Sequence, residues 1–280
     1  MAPISFAPKF SAPPPTITVA ILSFPAPKIL LVTLNRPKQL NSIPSAGHVE
    51  LNNVWQWLDE EPELSVGIIT GAGRAFCAGA DLKEWNNHNE KRTTRPTPPA
   101  GFAGLSRRSG LKPVIAAVNG LCFGGGTEMI VNCDMVVANR NASFALPEVK
   151  RGVVPFAGAP PRLIRTVGRV RAMEMALTGR TVGAEEAREW GLVNRVVDEG
   201  AEKVVEAAIE LATMVAENSP DAVIITREGV KMGWEGCGAE EGTRIWQEVW
   251  QGRLAKGENM REGVRAFVEK RKPVWKPAKL

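Results

Sequence analysis

Short apolar runs that end in glycine turns recur along this chain of 280 residues and constrain its fold more than any other feature. Residues 66–70 have the composition of a buried strand and lead directly into Gly71-Ala72-Gly73. Residues 114–118 and 135–138 have the same composition, and a glycine turn and a predicted helix lie between them. Strands, glycine turns and helices that alternate in this way are typical of layered α/β domains. The sequence therefore predicts an α/β core.

The rest of the chain divides by composition. Residues 17–22 and 29–34 predict a hairpin, and residues 45–58 have the spacing of a helix. Residues 84–110 are polar and proline-rich, which predicts a lid or a disordered loop. We predict a flexible N-terminal segment (residues 1–15), a core (16–200), a helical region (201–272) and a tail (273–280).

Composition excludes several classes of function. The formal net charge of +5 suits a small anionic ligand, but the basic residues are spread along the chain, so nucleic-acid binding is not favoured. Four cysteines without CxxC spacing favour free thiols, and two histidines offer little for a metal site, so no metal is predicted. No apolar run reaches the ~18 residues that span a membrane.

The glycine turn Gly124-Gly125-Gly126 is followed by Thr127-Glu128 and an apolar segment that predicts a helix starting near Gly126. The start of a helix presents unpaired N–H groups and the positive end of its dipole, which suits an oxygen that becomes negative during a reaction. Glu128 would then lie beside that oxygen as an acid or base. The alternative is a structural turn in which the dipole merely favours a glutamate.

The remaining motifs are either incomplete or would act only together with a second group in the same cleft. Phe76 replaces the third glycine of a dinucleotide fingerprint, and no P-loop, HExxH or GxSxG motif occurs. A second glycine turn at residues 76–83 could direct the N–H group of Ala80 into the same cleft as that of Gly125. Glu148 follows Pro147 and is either a surface residue or a second carboxylate in the cleft, where the two pKa values would separate.

These motifs resemble the enoyl-CoA hydratase/isomerase (crotonase) superfamily from about Ile29 to Lys272. The segments that carry the resemblance are Leu34-Asn35-Arg36-Pro37, residues 70–82, Ala117-Val118-Asn119-Gly120, Gly124-Gly125-Gly126-Thr127-Glu128, Gly191-Leu192-Val193 and residues 267–273. The resemblance implies a ββα spiral core with a C-terminal helical trimerisation region. It also implies a trimer or a dimer of trimers and an acyl-CoA substrate, with CoA part of the substrate and no separate cofactor.

The resemblance also assigns roles to individual residues. It implies that Glu128 and Glu148 are catalytic and that the N–H groups of Ala80 and Gly125 form an oxyanion hole, which is a pair of donors for a developing negative oxygen. The residues it implies for CoA binding are Arg74, Ala78, Asp81, Leu82 and Lys83, with Phe267 and Lys270 reaching CoA on a neighbouring subunit.

Both glutamates together favour a hydro-lyase that hydrates an enoyl-CoA or dehydrates a 3-hydroxyacyl-CoA. The alternatives are an isomerase that uses Glu148 alone, a dehydratase of a specialised pathway for a siderophore or toxin acyl group, and a non-catalytic RNA- or protein-binding member. The family usually has a glycine where this chain has Phe156, so we expect its ring to narrow the acyl pocket.

The chain ends in Ala278-Lys279-Leu280, which resembles the Ser-Lys-Leu peroxisomal address. Pro273 and Pro277 would keep this tail extended and accessible to an import receptor. The sequence therefore predicts a peroxisomal protein of the fungal type, acting in β-oxidation or in a peroxisomal step of a specialised pathway.

Overall fold

The computed structural model describes residues 9–91, 98–198 and 200–280. Ten strands and ten α-helices lie within these ranges. The strands are β1 (Ala20–Ser23), β2 (Ile29–Leu34), β3 (Val66–Gly71), β4 (Ala75–Cys77), β5 (Val114–Val118), β6 (Leu121–Phe123), β7 (Met135–Asn139), β8 (Ser143–Ala145), β9 (Val182–Gly183) and β10 (Arg195–Val197).

The helices follow the strands in both halves of the chain and become the dominant element after β10. They are α1 (Ser45–Glu60), α2 (Leu82–Lys91), α3 (Gly125–Val131), α4 (Ala159–Val167), α5 (Arg169–Thr178), α6 (Ala184–Glu189), α7 (Ala201–Ala216), α8 (Pro220–Trp234), α9 (Ala239–Lys256) and α10 (Glu258–Val268). Short 3₁₀ turns add Pro37–Gln39, Phe102–Gly104 and Pro147–Arg151.

The strands form two sheets. The larger has the order β1-β2-β3-β5-β7-β10, and the smaller has the order β4-β6-β8-β9. In the larger sheet β1 pairs antiparallel with β2, as the predicted hairpin requires, and the other pairs are parallel. In the smaller sheet β4 and β6 are parallel neighbours, so the glycine turns that follow them, at Gly79 and Gly124, lie at the same end of that sheet and can meet.

Side chains of the larger sheet alternate between two apolar layers. Ile69 and Ala116 face the layer that also contains Trp55 of α1, whereas Ile68 and Ile115 face the layer that α7 covers. This alternation follows from the two-residue period of a strand. Helix α7 was predicted to belong to a separate C-terminal region, but its apolar face completes the core.

Two segments predicted to be flexible or irregular are more ordered than expected. Phe10 packs against Phe24 and Trp57 with ring centroids 4.7 and 5.0 Å apart, and Ser11 donates to the carboxylate of Glu61. Residues 1–8 of the predicted flexible segment lie outside the described residues.

In the predicted loop 84–110, residues up to Lys91 continue helix α2, and Phe102 to Ser106 are buried. Residues 92–97 of that loop lie outside the described part of the chain. The polar sequence of α2 concealed this helix, because it lacks an apolar stripe.

The tail is extended but is not free. The side chain of Asn259 donates to the Lys276 carbonyl at 2.9 Å and accepts the Lys276 N–H at 2.8 Å. Asp221, which is buried, accepts the Lys279 N–H at 3.1 Å, and Trp275 donates to the Glu217 carbonyl. The expected accessible tail is therefore held against α8 and α10. None of the described helices is both long and apolar enough to cross a bilayer.

Candidate active site

The turn after β4 directs one unpaired backbone donor towards the cleft. The Ile43 N–H donates to the Gly79 carbonyl at 3.0 Å, and the Ile43 carbonyl accepts the Asp81 N–H at 3.2 Å. Adjacent peptide groups in an extended chain point in opposite directions, so the Ala80 N–H is directed away from Ile43. It has no hydrogen-bond partner among the described residues.

The turn before α3 supplies a second unpaired donor. Gly124 has a φ of +56°, which favours glycine, and Gly125 is the first residue of the helix. The Gly125 N–H has no partner within the residues the structure describes, as expected of the first turn of a helix. The predicted helix start near Gly126 is thus correct to within one residue.

The two turns approach each other closely. A Cβ atom added at Gly79, whose φ is +95°, would lie 3.2 Å from the Gly125 nitrogen and 3.7 Å from the Gly124 Cα. A side chain at this position would be strained by the φ and would press on the Gly125 backbone, so glycine favours this approach. Two free N–H groups on adjoining turns form the arrangement that stabilises a developing negative oxygen.

Glu128 lies in the first turn of α3 and is buried. Its Oε1 accepts the Ala159 N–H at 3.3 Å. Burial raises the pKa of Glu128 to about 7; the backbone N–H groups of residues 157–159 oppose the rise, and the negative charge of Glu148 adds to it. Glu128 can therefore hold or release a proton near neutral pH.

Glu148 belongs to the 3₁₀ turn that Pro147 begins, and its carboxylate lies against the glycine turn. A Cβ atom on Gly124 would be 3.0 Å from Glu148 Oε1. Glu148 Oε2 is buried and has no hydrogen-bond partner among the described residues. Burial raises the pKa of Glu148, while its own backbone N–H and the charge of Arg151 lower it.

The two carboxylates thus flank the pair of free N–H groups. Since the negative charge of Glu148 raises the pKa of Glu128, the pair holds one proton more readily than none. One carboxyl group can then donate a proton while the other accepts one, beside an oxygen that receives two hydrogen bonds. This is the chemistry of adding or removing water next to a carbonyl group.

Supporting residues were missed in the sequence. The Phe102 ring lies so close to Gly125 that a Cβ there would be 2.5 Å from it. Phe102 lies in the segment predicted to be a loop, and no local pattern identifies its role. The turn that holds Glu128 contains Gly158, whose φ is +120°. The glycine itself is the sequence signal for this turn.

The residues implied for CoA binding are only partly brought together. Ala78 to Lys83 follow β4, with Leu82 and Lys83 exposed, and Arg74 is exposed at the preceding turn. Asp81 is in an ion pair with Arg36 at 3.0 Å, a contact that sequence reasoning missed although Arg36 lies in one of the motifs quoted above.

Phe267 and Lys270 are exposed at the end of α10. Within the described residues, no hydrogen bond or ion pair joins them to the turn after β4. Their predicted contact with CoA on a neighbouring subunit stays a prediction.

Phe156 differs from the expectation. Its side chain is 90% exposed, so in the protomer the ring does not form part of a buried wall beside the glutamates. It is the neighbouring backbone at residues 157–159, and not the Phe156 side chain, that faces Glu128. The predicted narrowing of the acyl pocket by Phe156 has no support in the protomer.

Metal ligands are not grouped in the described part of the chain: no cluster of three or more His, Cys, Asp or Glu side chains could hold an ion there. What the geometry defines is an acid–base site with two carboxylates and a pair of backbone donors.

Comparison with known proteins agrees with this class of site. The model of the enoyl-CoA hydratase/isomerase family matches residues 26–278. The chain is 52% identical over 266 residues to mevalonyl-coenzyme A hydratase sidH of Aspergillus fumigatus, covering 95% of this chain and 98% of that protein. It is 39% identical over 246 residues to the mitochondrial enoyl-CoA hydratase of Pongo abelii, covering 88% and 83%.

Solved structures agree as well. The crystal structure of enoyl-CoA hydratase from Mycobacterium tuberculosis H37Rv superposes with a TM-score of 0.84 at 35% identity, covering 93% of this chain and 99% of that one. The chain belongs to the enoyl-CoA hydratase/isomerase family. The predicted crotonase fold and the predicted hydro-lyase activity on acyl-CoA thioesters are confirmed.

Proposed function

We propose that this hydro-lyase acts on a short acyl-CoA that is branched at C3, of the mevalonyl-CoA type. Support comes from the relative of 52% identity, which is named a mevalonyl-CoA hydratase and is matched almost end to end. This is the specialised-pathway alternative rather than general β-oxidation. Mevalonyl-CoA carries a hydroxyl and a methyl group on C3, so loss of water gives a 3-methyl-2-enoyl thioester.

The proposed mechanism uses the two glutamates as one unit. In dehydration, the Glu148 carboxylate removes a proton from C2, and the electron pair moves towards the thioester oxygen, which accepts hydrogen bonds from the Ala80 and Gly125 N–H groups. The C3–O bond then breaks as protonated Glu128 gives its proton to the departing hydroxyl. Hydration is the reverse, with the Glu128 carboxylate deprotonating the attacking water and Glu148 protonating C2.

One observation carries this assignment. Glu148 Oε1 lies against Gly124, in the turn that supplies the Gly125 N–H. Neither Glu148 Oε2, which is buried, nor the Gly125 N–H has a hydrogen-bond partner in the part of the chain that the structure describes. Burying a carboxylate oxygen without a hydrogen-bond donor lowers the stability of the fold. We infer that this oxygen is kept because the reaction uses it. The reaction moves protons and no net electrons, so the proposal needs no cofactor beyond the CoA of the substrate.

The test is a comparison of substrates with purified protein. We expect kcat/KM for dehydration of mevalonyl-CoA, measured by mass spectrometry of the thioesters, to exceed that for straight-chain 3-hydroxyacyl-CoAs by about tenfold or more. Higher values for straight chains would refute the branched substrate and leave a general hydratase. Conversion of 3-enoyl-CoA that survives in Glu128→Gln would instead favour the isomerase alternative.

CoA binding and assembly complete the proposal. Arg74 and Lys83 would contact the phosphates of CoA, and Ala78, Asp81 and Leu82 would contact its adenine. Phe267 and Lys270 would reach CoA on the next subunit of a homotrimer or a dimer of trimers; exposed apolar side chains on α10 support an interface there. Light scattering after size-exclusion chromatography tests this, and a monomer would refute it.

Peroxisomal import through Ala278-Lys279-Leu280 is also proposed. Because Asp221 binds the Lys279 N–H, an import receptor would have to release the tail first. An N-terminal fluorescent fusion should enter peroxisomes with these three residues and remain cytosolic without them. A cytosolic location of the intact fusion would refute the address.

A further inference from the structure

The hydroxyl group of Ser106 joins two segments that hold opposite sides of the active site. Ser106 is completely buried. Its Oγ accepts the Phe102 N–H at 2.8 Å and donates to the Ala157 carbonyl, also at 2.8 Å. Both bonds are short, the first is buried and the second is partly buried, and their partners lie 4 and 51 residues away in the chain.

Each partner of Ser106 adjoins one part of the reaction machinery. The Phe102 ring lies against Gly125, which carries one of the two free N–H groups. Ala157 begins the backbone turn whose N–H groups face Glu128, and the Ala159 N–H binds Glu128 Oε1 at 3.3 Å. The Ser106 side chain therefore joins Phe102, which packs against the oxyanion hole, to the turn that holds the acid–base residue Glu128.

The space around this hydroxyl fits it closely. A Cβ atom on Gly101, whose φ is +77°, would be 2.4 Å from Ser106 Oγ and 3.2 Å from the Ala157 carbonyl oxygen. A Cβ atom on Gly158 would lie 3.0 Å from the side chain of Arg107. Two glycines with positive φ thus allow the segments to approach to the distance that the hydroxyl bridges.

We infer that Ser106 is a positioning residue, which fixes the turn at residues 157–159 relative to Phe102 and so aligns Glu128 with the Gly125 N–H. The inference rests on the proposed roles of Glu128 and Gly125. It assigns a task to a residue outside the motifs that carry the family resemblance. Reacting groups must be held to fractions of an ångström, and supporting hydrogen bonds provide this precision.

The test is Ser106→Ala, compared with Thr70→Val as a matched control. Thr70 is also buried, and its hydroxyl donates to the Ala117 carbonyl at 2.8 Å within the larger sheet. Both variants lose a buried hydroxyl group, but only Ser106→Ala removes the hydrogen bonds that join Phe102 to Ala157. Ser106→Cys keeps the shape and a weak donor, and it replaces Ser106→Ala in every measurement if the alanine variant does not fold.

We expect Ser106→Ala to lower kcat by ~10- to 100-fold with KM changed by less than about threefold. In dehydration, where Glu128 must be protonated, the alkaline limb of the pH profile of kcat/KM should move to higher pH. The reason is that the N–H groups that lower the pKa of Glu128 are no longer held in place. Thr70→Val should leave kcat and the pH profile unchanged.

Hydrogen exchange supplies a readout that does not depend on activity. Peptides covering residues 99–108 and 153–160 should both exchange faster in Ser106→Ala, and neither should change in Thr70→Val. Equal exchange in these peptides, with kcat and the pH limb as in the wild type, would overturn the inference. If the wild type were inactive on every acyl-CoA, the proposed function would fail, whereas the exchange result would still decide whether Ser106 couples the two segments.

Discussion

Replacing Glu128 by glutamine should abolish most activity and at the same time stabilise the protein above neutral pH. The carboxylate is buried, and its ionisation is opposed by burial and by the charge of Glu148. Glutamine has nearly the same shape and no charge to bury. The function of the site, not the stability of the fold, therefore accounts for a glutamate at this position.

The size of the effect follows from the pKa. The pKa of Glu128 is raised from 4.5 to about 7, so the folded protein binds more protons than the unfolded chain between these values. Stability from this group is fully present below pH 4.5 and is lost as the pH rises to 7. The loss amounts to ~3 kcal/mol at pH 8, which sets the upper limit of the stabilisation by Glu128→Gln.

The assay is urea unfolding of the wild type and of Glu128→Gln at pH 5 and pH 8. The variant should be more stable at pH 8 by ~1 to 3 kcal/mol, and most of this difference should disappear at pH 5. Its kcat should fall by about 10²- to 10⁴-fold, the usual contribution of a general acid or base.

Glu61→Gln is the matched control for a buried carboxylate. Burial alone would raise the pKa of Glu61, but the N–H groups of Glu63, Ser11 and Ala12 and the Ser11 hydroxyl lower it overall. This variant should therefore destabilise the protein at pH 8 and keep kcat. If Glu128→Gln were less stable than the wild type at pH 8, the raised pKa and the argument built on it would be wrong.

Three further predictions concern neighbouring features. Glu148→Gln should lower kcat as severely as Glu128→Gln, and the double variant should be little worse than either, because the two act on one reaction; additive losses in steady-state kinetics would contradict this. Gly79→Ala should lower kcat by ~100-fold, since its Cβ would lie 3.2 Å from the Gly125 nitrogen at an unfavourable φ; normal turnover with a normal Tm would exclude the paired donors. Asn259→Ala should release the tail at Lys276 and speed its cleavage by trypsin, and unchanged cleavage would show that the tail is held by other contacts.

The parts of the fold that follow a strict period were predictable from the sequence. The run at residues 114–118 coincides with β5, and the helix predicted at 45–58 is α1 with two more residues at its end. Helix α8, over Pro220–Trp234, was predicted only as part of the helical region 201–272 and without bounds of its own, because its apolar side chains form no clear stripe around its glycines. Packing on neighbouring helices determines such an element.

The chemical groups of the site were predictable, but their support was not. Glycine turns and the two glutamates are visible as local patterns, and the structure brings them together. Ser106 and Phe102 act through residues about 50 and 20 positions away, and their neighbours in sequence give no sign of it. At Phe156 the sequence suggested too much. Its departure from the family pattern predicted a narrower acyl pocket, which the exposure of its side chain does not support.

The places where this chain departs from ordinary structural preferences coincide with the proposed chemistry. Glu128 is a buried carboxylate with a raised pKa, and Glu148 has a buried oxygen to which none of the described residues donates. Gly79 and Gly124 have positive φ where the two turns approach each other. Each feature lowers the stability of the fold, and all of them lie on or beside the turn that carries the Gly125 N–H, which has no partner within the described residues. A purely structural turn, in which the helix dipole favours a glutamate, would need none of these destabilising features. Because they occur together at one place, they favour a catalytic site over the structural alternative.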